Sequence, residues 1–414
     1  MFTARCSAFA CVVGASAPIA LAQQAAFIPL PALGPNRVSY ALGVSPDGRF
    51  AAGGSASSAG IQAVVWDLDA EVVRPLGFLA PGSNYSEATG VSDGGAVVVG
   101  QSLNPTQIEA FRVVGGGSME PLGSLGPTSD YIKSSALDVS ADGAQVVGFA
   151  RSPLSAFGTE AFHFGASMIG LGDLLGGAFN SVARAITPDG SVTVGEASDG
   201  TGNRAVRWTQ STGIVALPDL PGGAVGASAQ DVSADGNVVV GRSIGAGGAF
   251  AVAWRNGQVQ SLGALLTSPA DSQAFGVSGD GGVIVGTSLG SLSDEAFIWT
   301  QASGLRSLKL VLETEFGISL TGWSLLVAHD VSTDGSVIVG EGINPQGVVQ
   351  AWMVRFDSAC AADFNSDGQA DFFDYLDFVV AFDAEAPEAD VNDDAQVDFF
   401  DYLDFVASFD AGCD

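Results

Sequence analysis

Residues 277–299 read VSGDGGVIVGTSLGSLSDEAFIW, and this stretch decides the fold because the chain writes its pattern seven times. A Val-Ser pair, or Ile-Thr in one copy, opens each unit, and one Gly follows after four positions and another after nine. The units start at Val44, Val91, Val139, Ile186, Val232, Val277 and Val331. A period of about 47 residues is typical of repeat architectures. A glycine kept at both positions predicts a positive φ or a close backbone approach there.

Each unit reads as four short strands. The Ser-x-Asp-Gly run, as at residues 140–143, separates two apolar runs and is a hairpin signal. An Ala-aromatic-x-Trp run such as residues 296–299 gives a third strand, and Pro-Leu-Gly-x-Leu, as at residues 75–79, gives a fourth. Four strands per unit correspond to one propeller blade. The sequence therefore predicts an all-β, seven-bladed propeller over residues 23–356.

The two ends of the repeat array indicate how the ring closes. The seventh unit has no Leu-Gly-x-Leu strand, whereas residues 27–33, FIPLPAL, precede the first unit without a partner. We expect this N-terminal strand to complete the last blade, because closure removes an exposed sheet edge. An open solenoid is the alternative.

These repeat motifs resemble the HAF extracellular repeat family, whose units combine Val-Ser-x-Asp-Gly, Val-Val-Val-Gly, Ala-Phe-x-Trp and Leu-Gly-x-Leu. The resemblance covers roughly residues 40–356. It implies a secreted, β-propeller-like protein and no particular activity.

The start of the chain has the pattern of an export signal. One positive charge, Arg5, precedes an apolar stretch over residues 9–21, and Ala20-Leu21-Ala22 matches a cleavage site. We expect residues 1–22 to be removed and the mature protein to be secreted, either extracellular or attached to the cell surface. No other apolar run is long enough for a membrane span.

Lys and Arg total 15 against 45 Asp and Glu, a net charge of −30, which disfavours nucleic acid as a partner.

The propeller offers few groups for catalysis. The chain has only two histidines, His163 and His329, which is too few for a Ser-His-Asp triad to be indicated. Asp recurs because the turn recurs, and we expect the turn aspartates to cap local amides. We therefore predict no catalytic residues. A binding surface is favoured instead, formed by loops that differ between units, such as residues 55–61, 102–107 and 151–159.

Two alternatives for the propeller stay open. Acids from different blades can meet at one face, which would give an extracellular carbohydrate-active enzyme. A lectin-like propeller would instead have repeated pockets beside a set of tryptophans that can equally be blade core. That set is Trp66, Trp208, Trp254 and Trp299.

The composition changes at residue 357, and residues 357–414 contain 17 acidic residues and no Lys or Arg. Within this segment, residues 363–374, DFNSDGQADFFD, place oxygen donors at the spacing of a calcium loop, and the pattern returns 27 residues later. We predict two calcium ions, the second bound more weakly because Ala395 replaces the turn glycine, Gly368. The predicted ligands are Asp363, Asn365, Asp367, Gln369, Asp371 and Asp374 in the first loop and Asp390, Asn392, Asp394, Gln396, Asp398 and Asp401 in the second.

Each loop is followed by Asp-Tyr-Leu-Asp-Phe-Val, in which Leu376 with Val379 and Leu403 with Val406 have helical spacing. The segment is thus a duplicated half EF-hand. It resembles a dockerin, and its flanking cysteines resemble those of GC-type dockerin anchors. The resemblance implies a calcium-binding, dockerin-like domain over residues 357–414 that docks to a cohesin-like or other cell-surface protein.

The dockerin resemblance also implies the docking residues, at positions 10 and 11 of each loop. These partner-binding residues are Phe372, Phe373, Phe399 and Phe400. The alternative is that at least one Phe of each pair packs in the small domain's own core.

Once the signal peptide is removed, Cys360 and Cys413 are the remaining cysteines, and a disulfide between them is expected outside the cytoplasm.

Together these patterns predict a secreted, non-catalytic repeat protein that is docked through its tail. Its propeller would present a ligand-binding surface, with an extracellular glycan as one candidate ligand. The alternative function is a carbohydrate-binding or carbohydrate-active propeller attached through the same module.

Overall fold

A computed structural model describes residues 24–127, 131–154, 158–266, 270–291, 293–357, 362, 364, 372–384, 386–391 and 396–411. The predicted signal peptide, residues 1–22, and the predicted disulfide between Cys360 and Cys413 lie outside the described residues.

The repeat region is a series of four-stranded antiparallel groups, one for each unit. The strands are β1 (Gln24–Pro29); β2 (Ser39–Val44), β3 (Phe50–Ser57), β4 (Gly60–Asp67), β5 (Val72–Gly77); β6 (Ser86–Val91), β7 (Val97–Asn104), β8 (Gln107–Val114), β9 (Glu120–Gly123); β10 (Ser134–Val139), β11 (Val146–Ala150), β12 (Glu160–Phe164), β13 (Met168–Gly170); β14 (Ser181–Ile186), β15 (Val192–Ser198), β16 (Asn203–Thr209), β17 (Gly213–Ala216); β18 (Ala227–Val232), β19 (Val238–Gly245), β20 (Gly248–Arg255), β21 (Gln258–Gly263); β22 (Ala270–Val277), β23 (Val283–Leu289), β24 (Asp294–Thr300), β25 (Gly304–Ser307); and β26 (Ser324–Val331), β27 (Val337–Ile343), β28 (Val349–Asp357).

Successive groups pack face to face. Each hydrophobic cluster of the repeat region is shared by two neighbouring units, and one cluster joins the last unit to the first through residues such as Val339 and Val44. The starting residue of every unit also lines one narrow central space. This arrangement is a β-propeller. The fifth and sixth groups are joined into one eight-stranded sheet by a short parallel pairing of β20 with β22.

The N-terminal strand pairs with the last unit, as the sequence predicts. β1 runs antiparallel to β28, from Gln24 opposite Asp357 to Pro29 opposite Trp352, and forms a four-stranded sheet with β28, β27 and β26. The strand begins at Gln24, earlier than the predicted stretch, and residues 30–33 continue beyond it. The amide of Leu30 still donates to the carbonyl of Ala351, at 2.9 Å.

The two recurring glycines meet different demands. The first of them, such as Gly236, has a positive φ (71°) in the turn after the first strand of its unit. The second, such as Gly241, lies opposite a β-bulge, and a Cβ there would come 2.0 Å from the carbonyl oxygen of Ser228. The same approach, at 2.0 or 2.1 Å, occurs at the second glycine of all seven units. Only glycine fits such a position.

The Ser and Asp side chains of the Ser-x-Asp-Gly run hold the turn between the first two strands of a unit. In the fifth unit, the Asp235 carboxylate accepts from the Ser233 hydroxyl at 2.7 Å and from the amide of Asn237 at 2.9 Å. The Ser233 hydroxyl in turn accepts from the amide of Val238 at 3.0 Å. The expectation that turn aspartates cap local amides is confirmed here.

One helix interrupts the β pattern and was not predicted. Helix α1 (Leu308–Thr314) begins after Ser307, whose hydroxyl accepts from the amide of Leu310. Leu308, Val311 and Leu312 bury one face of α1 in the cluster between the sixth and seventh units. Their spacing of three and four residues suits a helix.

The tail contains two further helices, α2 (Phe372–Asp383) and α3 (Phe399–Ala411), one after each predicted calcium loop. Phe378 and Phe405 stack at their centre, with ring centroids 3.9 Å apart and planes 6° apart. The hydroxyls of Tyr375 and Tyr402 meet at 3.2 Å. Each of these residues stands 27 positions from its counterpart, so the duplicated halves pair through equivalent side chains.

The helices are where the sequence predicts, and Val379 and Val406 of the helical pattern pack against the core between them. Leu376 and Leu403 are exposed, whereas Phe378 and Phe405 are fully buried. An aromatic ring covers more apolar area than a leucine side chain, so the Phe face is the one that pairs. No helix of the described residues is long and apolar enough to cross a membrane.

The second recurring glycine gives a direct test of the fold. Replacing Gly241 with Ala should lower the free energy of unfolding by at least about 2 kcal/mol, because the new methyl group overlaps a backbone carbonyl. Gly165→Ala is the matched control, since its Cβ would have no neighbour nearer than 4.0 Å. Chemical denaturation of both variants measures the difference, and equal losses would contradict the close-approach explanation.

Candidate functional site

The tail helices expose a hydrophobic surface. Phe372 and Phe373 at the start of α2, and Phe399 and Phe400 at the start of α3, are each 64 or 65% exposed. Phe372 stacks on Tyr375 and Phe399 on Tyr402, with centroids 6.5 and 6.2 Å apart. None of the four is buried in the small domain's core.

Further exposed apolar residues extend this surface along α2. Leu376 and Val380 follow Phe372 at intervals of four residues and are also exposed, so the three side chains lie along one face of the helix. Leu403 stands in the same relation to Phe399 on α3. Each helix therefore presents an apolar stripe, and the adjacent exposed Phe373 on α2 and Phe400 on α3 are counted with it.

The second predicted calcium loop is described in part. The carboxylate of Asp401 is fully buried, and it accepts from the amides of Val391 and Asp398, both at 2.8 Å. The Asp398 carboxylate accepts from the amide of Phe400 at 2.8 Å, which caps the start of α3. Asp398 and Asp401 thus lie together where the loop becomes a helix.

The remaining predicted ligands divide between described and undescribed residues. Asp374, the counterpart of Asp401, is also fully buried, and Asp390 and Gln396 are described as well. Within the described part of the chain, no three Asp, Glu, His or Cys side chains are arranged to hold a metal ion. The residues outside it are Asp363, Asn365, Asp367, Gln369, Asp371, Asn392 and Asp394. The donors that are described are hard oxygens, which fit calcium.

Three aspartates lie at the centre of the propeller, one residue before the start of the third, fifth and seventh units. Each joins its own unit to the next. The carboxylate of Asp231 accepts from its neighbour Val232 at 2.7 Å and from Val277 of the sixth unit at 2.8 Å. Asp138 makes the equivalent bond to Ile186, and Asp330 to Val44, which ties the last unit to the first.

These central carboxyls are half-buried, and all three line the narrow central space. Burial raises the pKa of Asp138 to about 7 and that of Asp231 to about 7, against the lowering effect of the amides that donate to them. Burial and the charges of Asp231 and Asp138 raise the pKa of Asp330 well above its usual value. The turn aspartates behave oppositely: the Ser140 hydroxyl and the amide of Ala144 lower the pKa of Asp142.

The two histidines lie in different units. His163 lies on β12 in the third unit, its Nε2 is 2.6 Å from the Gln145 side-chain oxygen, and burial lowers its pKa. His329 lies on β26 in the seventh unit, and its Nε2 is 3.7 Å from a Glu341 carboxylate oxygen.

The tryptophans that could have marked lectin-like pockets are core residues. Trp66, Trp208, Trp254 and Trp299 are all buried. The indole N–H groups of Trp66 and Trp254 each donate to a backbone carbonyl at 2.7 Å. These four rings therefore pack within the blades and offer no exposed face to a ligand.

One polar cluster has no counterpart in the sequence analysis. The Glu87 carboxylate accepts from the Tyr40 hydroxyl at 2.8 Å, from the Tyr85 hydroxyl at 3.3 Å and from the Gln101 amide at 3.1 Å. Burial and the Glu87 charge raise the pKa of Tyr85 to about 12 and that of Tyr40 higher still, and Glu341 adds to the rise at Tyr40. The cluster therefore combines residues of the first, second and seventh units. Only a comparison of equivalent positions, four before each unit's start, would have found Tyr40 and Glu87.

Comparison with known proteins places the chain by fold. No family model matches the sequence, and no curated protein matches it. Among solved structures, puromycin hydrolase is similar at a TM-score of 0.52 and 13% identity, over 78% of this chain and 52% of that one. The β-propeller domain of the Trilobed protease from Pyrococcus furiosus has a TM-score of 0.48 at 12% identity, over 77% and 93% of the two chains.

TolB from Acinetobacter baumannii is a third similar structure, with a TM-score of 0.42 at 16% identity, over 65% of this chain and 62% of TolB. The match thus spans less than two thirds of TolB and of puromycin hydrolase. Likeness at such identities concerns the fold, and no activity is transferred from these proteins.

The raised pKa values of the central aspartates predict how the stability of the protein depends on pH. A carboxyl whose pKa is higher in the folded than in the unfolded chain binds protons preferentially when folded, so its contribution to stability falls as pH rises from about 4 to about 7. The slope is at most about 1.4 kcal/mol per pH unit for each carboxyl. In Asp231→Asn this contribution is absent. The free energy of unfolding of the wild type minus that of the variant should therefore decrease as pH rises.

Denaturant unfolding at pH 4, 5, 6 and 7 measures this difference. Asp142→Asn is the control, because a lowered pKa predicts a stability contribution that is lost as pH falls. A difference between wild type and Asp231→Asn that is constant with pH would contradict the assignment of a raised pKa to Asp231.

Proposed function

We propose that this protein is a secreted, non-catalytic repeat propeller that docks to a cohesin-like or other cell-surface protein through a calcium-binding tail. In this proposal residues 1–22 direct export, residues 23–356 form a propeller of seven blades, and residues 357–414 form the dockerin-like domain. The propeller presents a ligand-binding surface, with an extracellular glycan as the candidate ligand.

The observation that carries the proposal is the pair of apolar stripes on α2 and α3. A small domain that exposes four Phe side chains to about two thirds keeps apolar area in water that its own core could have used. Contiguous exposed apolar patches mark interaction sites in soluble proteins. Aromatic side chains in such patches dominate the binding energy of protein interfaces.

The duplication supports two equivalent ways of docking. The pairs Phe372 with Phe373 and Phe399 with Phe400 have nearly equal exposure. Phe372 stacks on Tyr375, and Phe399 stacks on the equivalent tyrosine, Tyr402. The Phe378 and Phe405 rings stack between the two halves, so a partner that recognises one stripe would find a similar one on the other helix. We therefore propose that either stripe can be used.

Calcium is proposed as the ligand that orders the tail. Seventeen acidic residues without Lys or Arg repel one another in residues 357–414, and a divalent cation held by oxygen donors offsets that repulsion. The buried carboxyls Asp374 and Asp401 lie at the last position of each loop, directly before or within the first turn of a helix. Binding at the loops is thereby linked to the formation of α2 and α3.

The alternative is a carbohydrate-active enzyme attached through the same tail. The cluster at Glu87 favours a structural role over it, because two tyrosines and an amide already donate to this carboxylate. A general acid must instead be free to give up a proton. Hydrolysis of a polysaccharide by the wild type that is lost in Glu87→Gln, without loss of stability, would favour the enzyme.

Calcium binding is tested by calorimetric titration of the mature chain, residues 23–414. Two sites of unequal affinity are expected, and Asp363→Ala with Asp390→Ala should abolish both. Circular dichroism should show helix content falling on chelation in the wild type. A matched control replaces the exposed Asp377 and Asp404 with Asn, which alters the tail's charge by the same amount without touching a predicted ligand. No heat of binding, or an unchanged helix content, would contradict the calcium proposal.

Docking is tested with Phe-to-Ala variants in a calcium-dependent capture of cell-envelope proteins. Replacing one pair, Phe372 with Phe373, should reduce capture by about twofold, because the other stripe remains. Replacing both pairs should abolish it while calcium binding persists. Capture that is unaffected by chelator, or that survives loss of both pairs, would exclude the apolar stripes as the contact.

A further inference from the structure

A cavity of 580 Å³ lies at the seam where the propeller closes. One wall is the connection that leads from β1 to β2, and the other is the hairpin between β27 and β28 in the seventh unit. Its volume is within the range of small-molecule sites, roughly 300–1,000 Å³. The β27–β28 hairpin is the seventh unit's counterpart of the loops over residues 55–61, 102–107 and 151–159, for which the sequence predicts a binding surface.

The walls of the cavity are fixed in place. Leu33 donates to the Ser55 hydroxyl at 3.0 Å, and the Trp66 indole donates to the carbonyl of Pro31 at 2.7 Å. On the other side, Asn344 is buried, and its side-chain oxygen accepts from the amides of Gln346 and Val348, both at 3.0 Å. A site with walls held in this way loses little ordering entropy when a ligand binds.

Two side-chain amides of the cavity wall have N–H groups to offer a ligand. The Gln350 side-chain oxygen accepts from the Asn344 side-chain nitrogen at 2.9 Å, and the Gln350 side-chain nitrogen donates to the carbonyl of Leu30 at 3.1 Å. Each of these nitrogens carries two hydrogens and uses one of them in these bonds. The second N–H of each can donate to an oxygen atom of a ligand.

Arg37 adds a positive charge to this wall. The Arg37 side chain folds over Gly34, where a Cβ would lie 2.8 Å from its Nε, so the glycine makes room for it. Among the described residues Arg37 forms no ion pair, and no acidic residue lines the cavity. That is unusual in a chain with a net charge of −30. Asn36 beside it has a positive φ of 53°, a costly conformation for a residue other than glycine.

We infer that this cavity binds an acidic saccharide, with Arg37 pairing its carboxylate or sulfate and the amides of Asn344 and Gln350 donating to its hydroxyl oxygens. The inference rests on the proposed ligand-presenting role of the propeller and names its site and ligand class. A guanidinium matches a carboxylate or sulfate through two parallel N–H bonds. Because the ligand contacts both the N-terminal connection and the last unit, its binding also stabilises the closed ring.

The test uses the mature chain, residues 23–414, on an array of uronate-bearing, sulfated and neutral oligosaccharides, followed by calorimetry with the best acidic one. Acidic members should bind at least tenfold more tightly than their neutral counterparts, and Arg37→Gln should remove that preference. Arg74→Gln is the matched control, an exposed arginine on the neighbouring strand β5 that does not line the cavity. The acidic ligand should also raise the melting temperature of the wild type but not of Arg37→Gln.

The possible outcomes are distinct. Equal binding of acidic and neutral sugars, no binding to any member, or equal behaviour of Arg37→Gln and Arg74→Gln overturns the inference. Inorganic sulfate that binds as tightly as the sugars overturns the saccharide and leaves a simple anion site. The saccharide affinities measured in calcium and in chelator should agree, because no residue of the tail lines the cavity. A failure of the docking proposal can therefore be distinguished from a failure of this inference.

Discussion

The structure depends on a closure in which the first strand, β1, pairs antiparallel with the last, β28, and completes the sheet of the seventh unit. Without it, the last group would expose the free edge of β28. Asp330 adds a second link from the seventh unit to the first, through the amide of Val44. Residues separated by almost the whole chain are thus brought together, and loop-closure entropy must be overcome to do so. The cavity at the seam exists because of this closure.

The repeat frame was predictable because the same physical demand recurs in every unit. A glycine opposite a bulge is required wherever the carbonyl of the preceding strand approaches at 2.0 Å, so the residue cannot vary, and its period is visible in the sequence. The turn aspartates were predictable for a similar reason. By contrast, α1 occurs in one unit, so no repeat of the sequence indicates it. Its three buried apolar residues also suit an edge strand.

The candidate sites were harder to derive because they are built where units differ. Tyr40 and Glu87 occupy equivalent positions in successive units but have different chemistry, and only the packing of one unit on the next brings them together. Asp231 appeared to be one more repeat residue, whereas its half-buried position and its bond to the next unit distinguish it from the exposed Asp235 in the turn. In the tail, the helix positions followed from the loop motif. The choice between Leu376 and Phe378 as the buried residue depended on the pairing of the two halves, which a single helix pattern does not contain.

The strand that leads to the tail has a mechanical consequence. β28 ends at Asp357, where the proposed docking domain begins, and it lies between β1 and β27 with hydrogen bonds on both sides. A force along this strand, such as flow acting on a propeller tethered at its C-terminus, loads both rows of hydrogen bonds in shear rather than opening them one by one. In the proposed arrangement the strand order places the tether on an interior strand of its sheet, and a propeller held in this way resists being pulled apart from its anchored end.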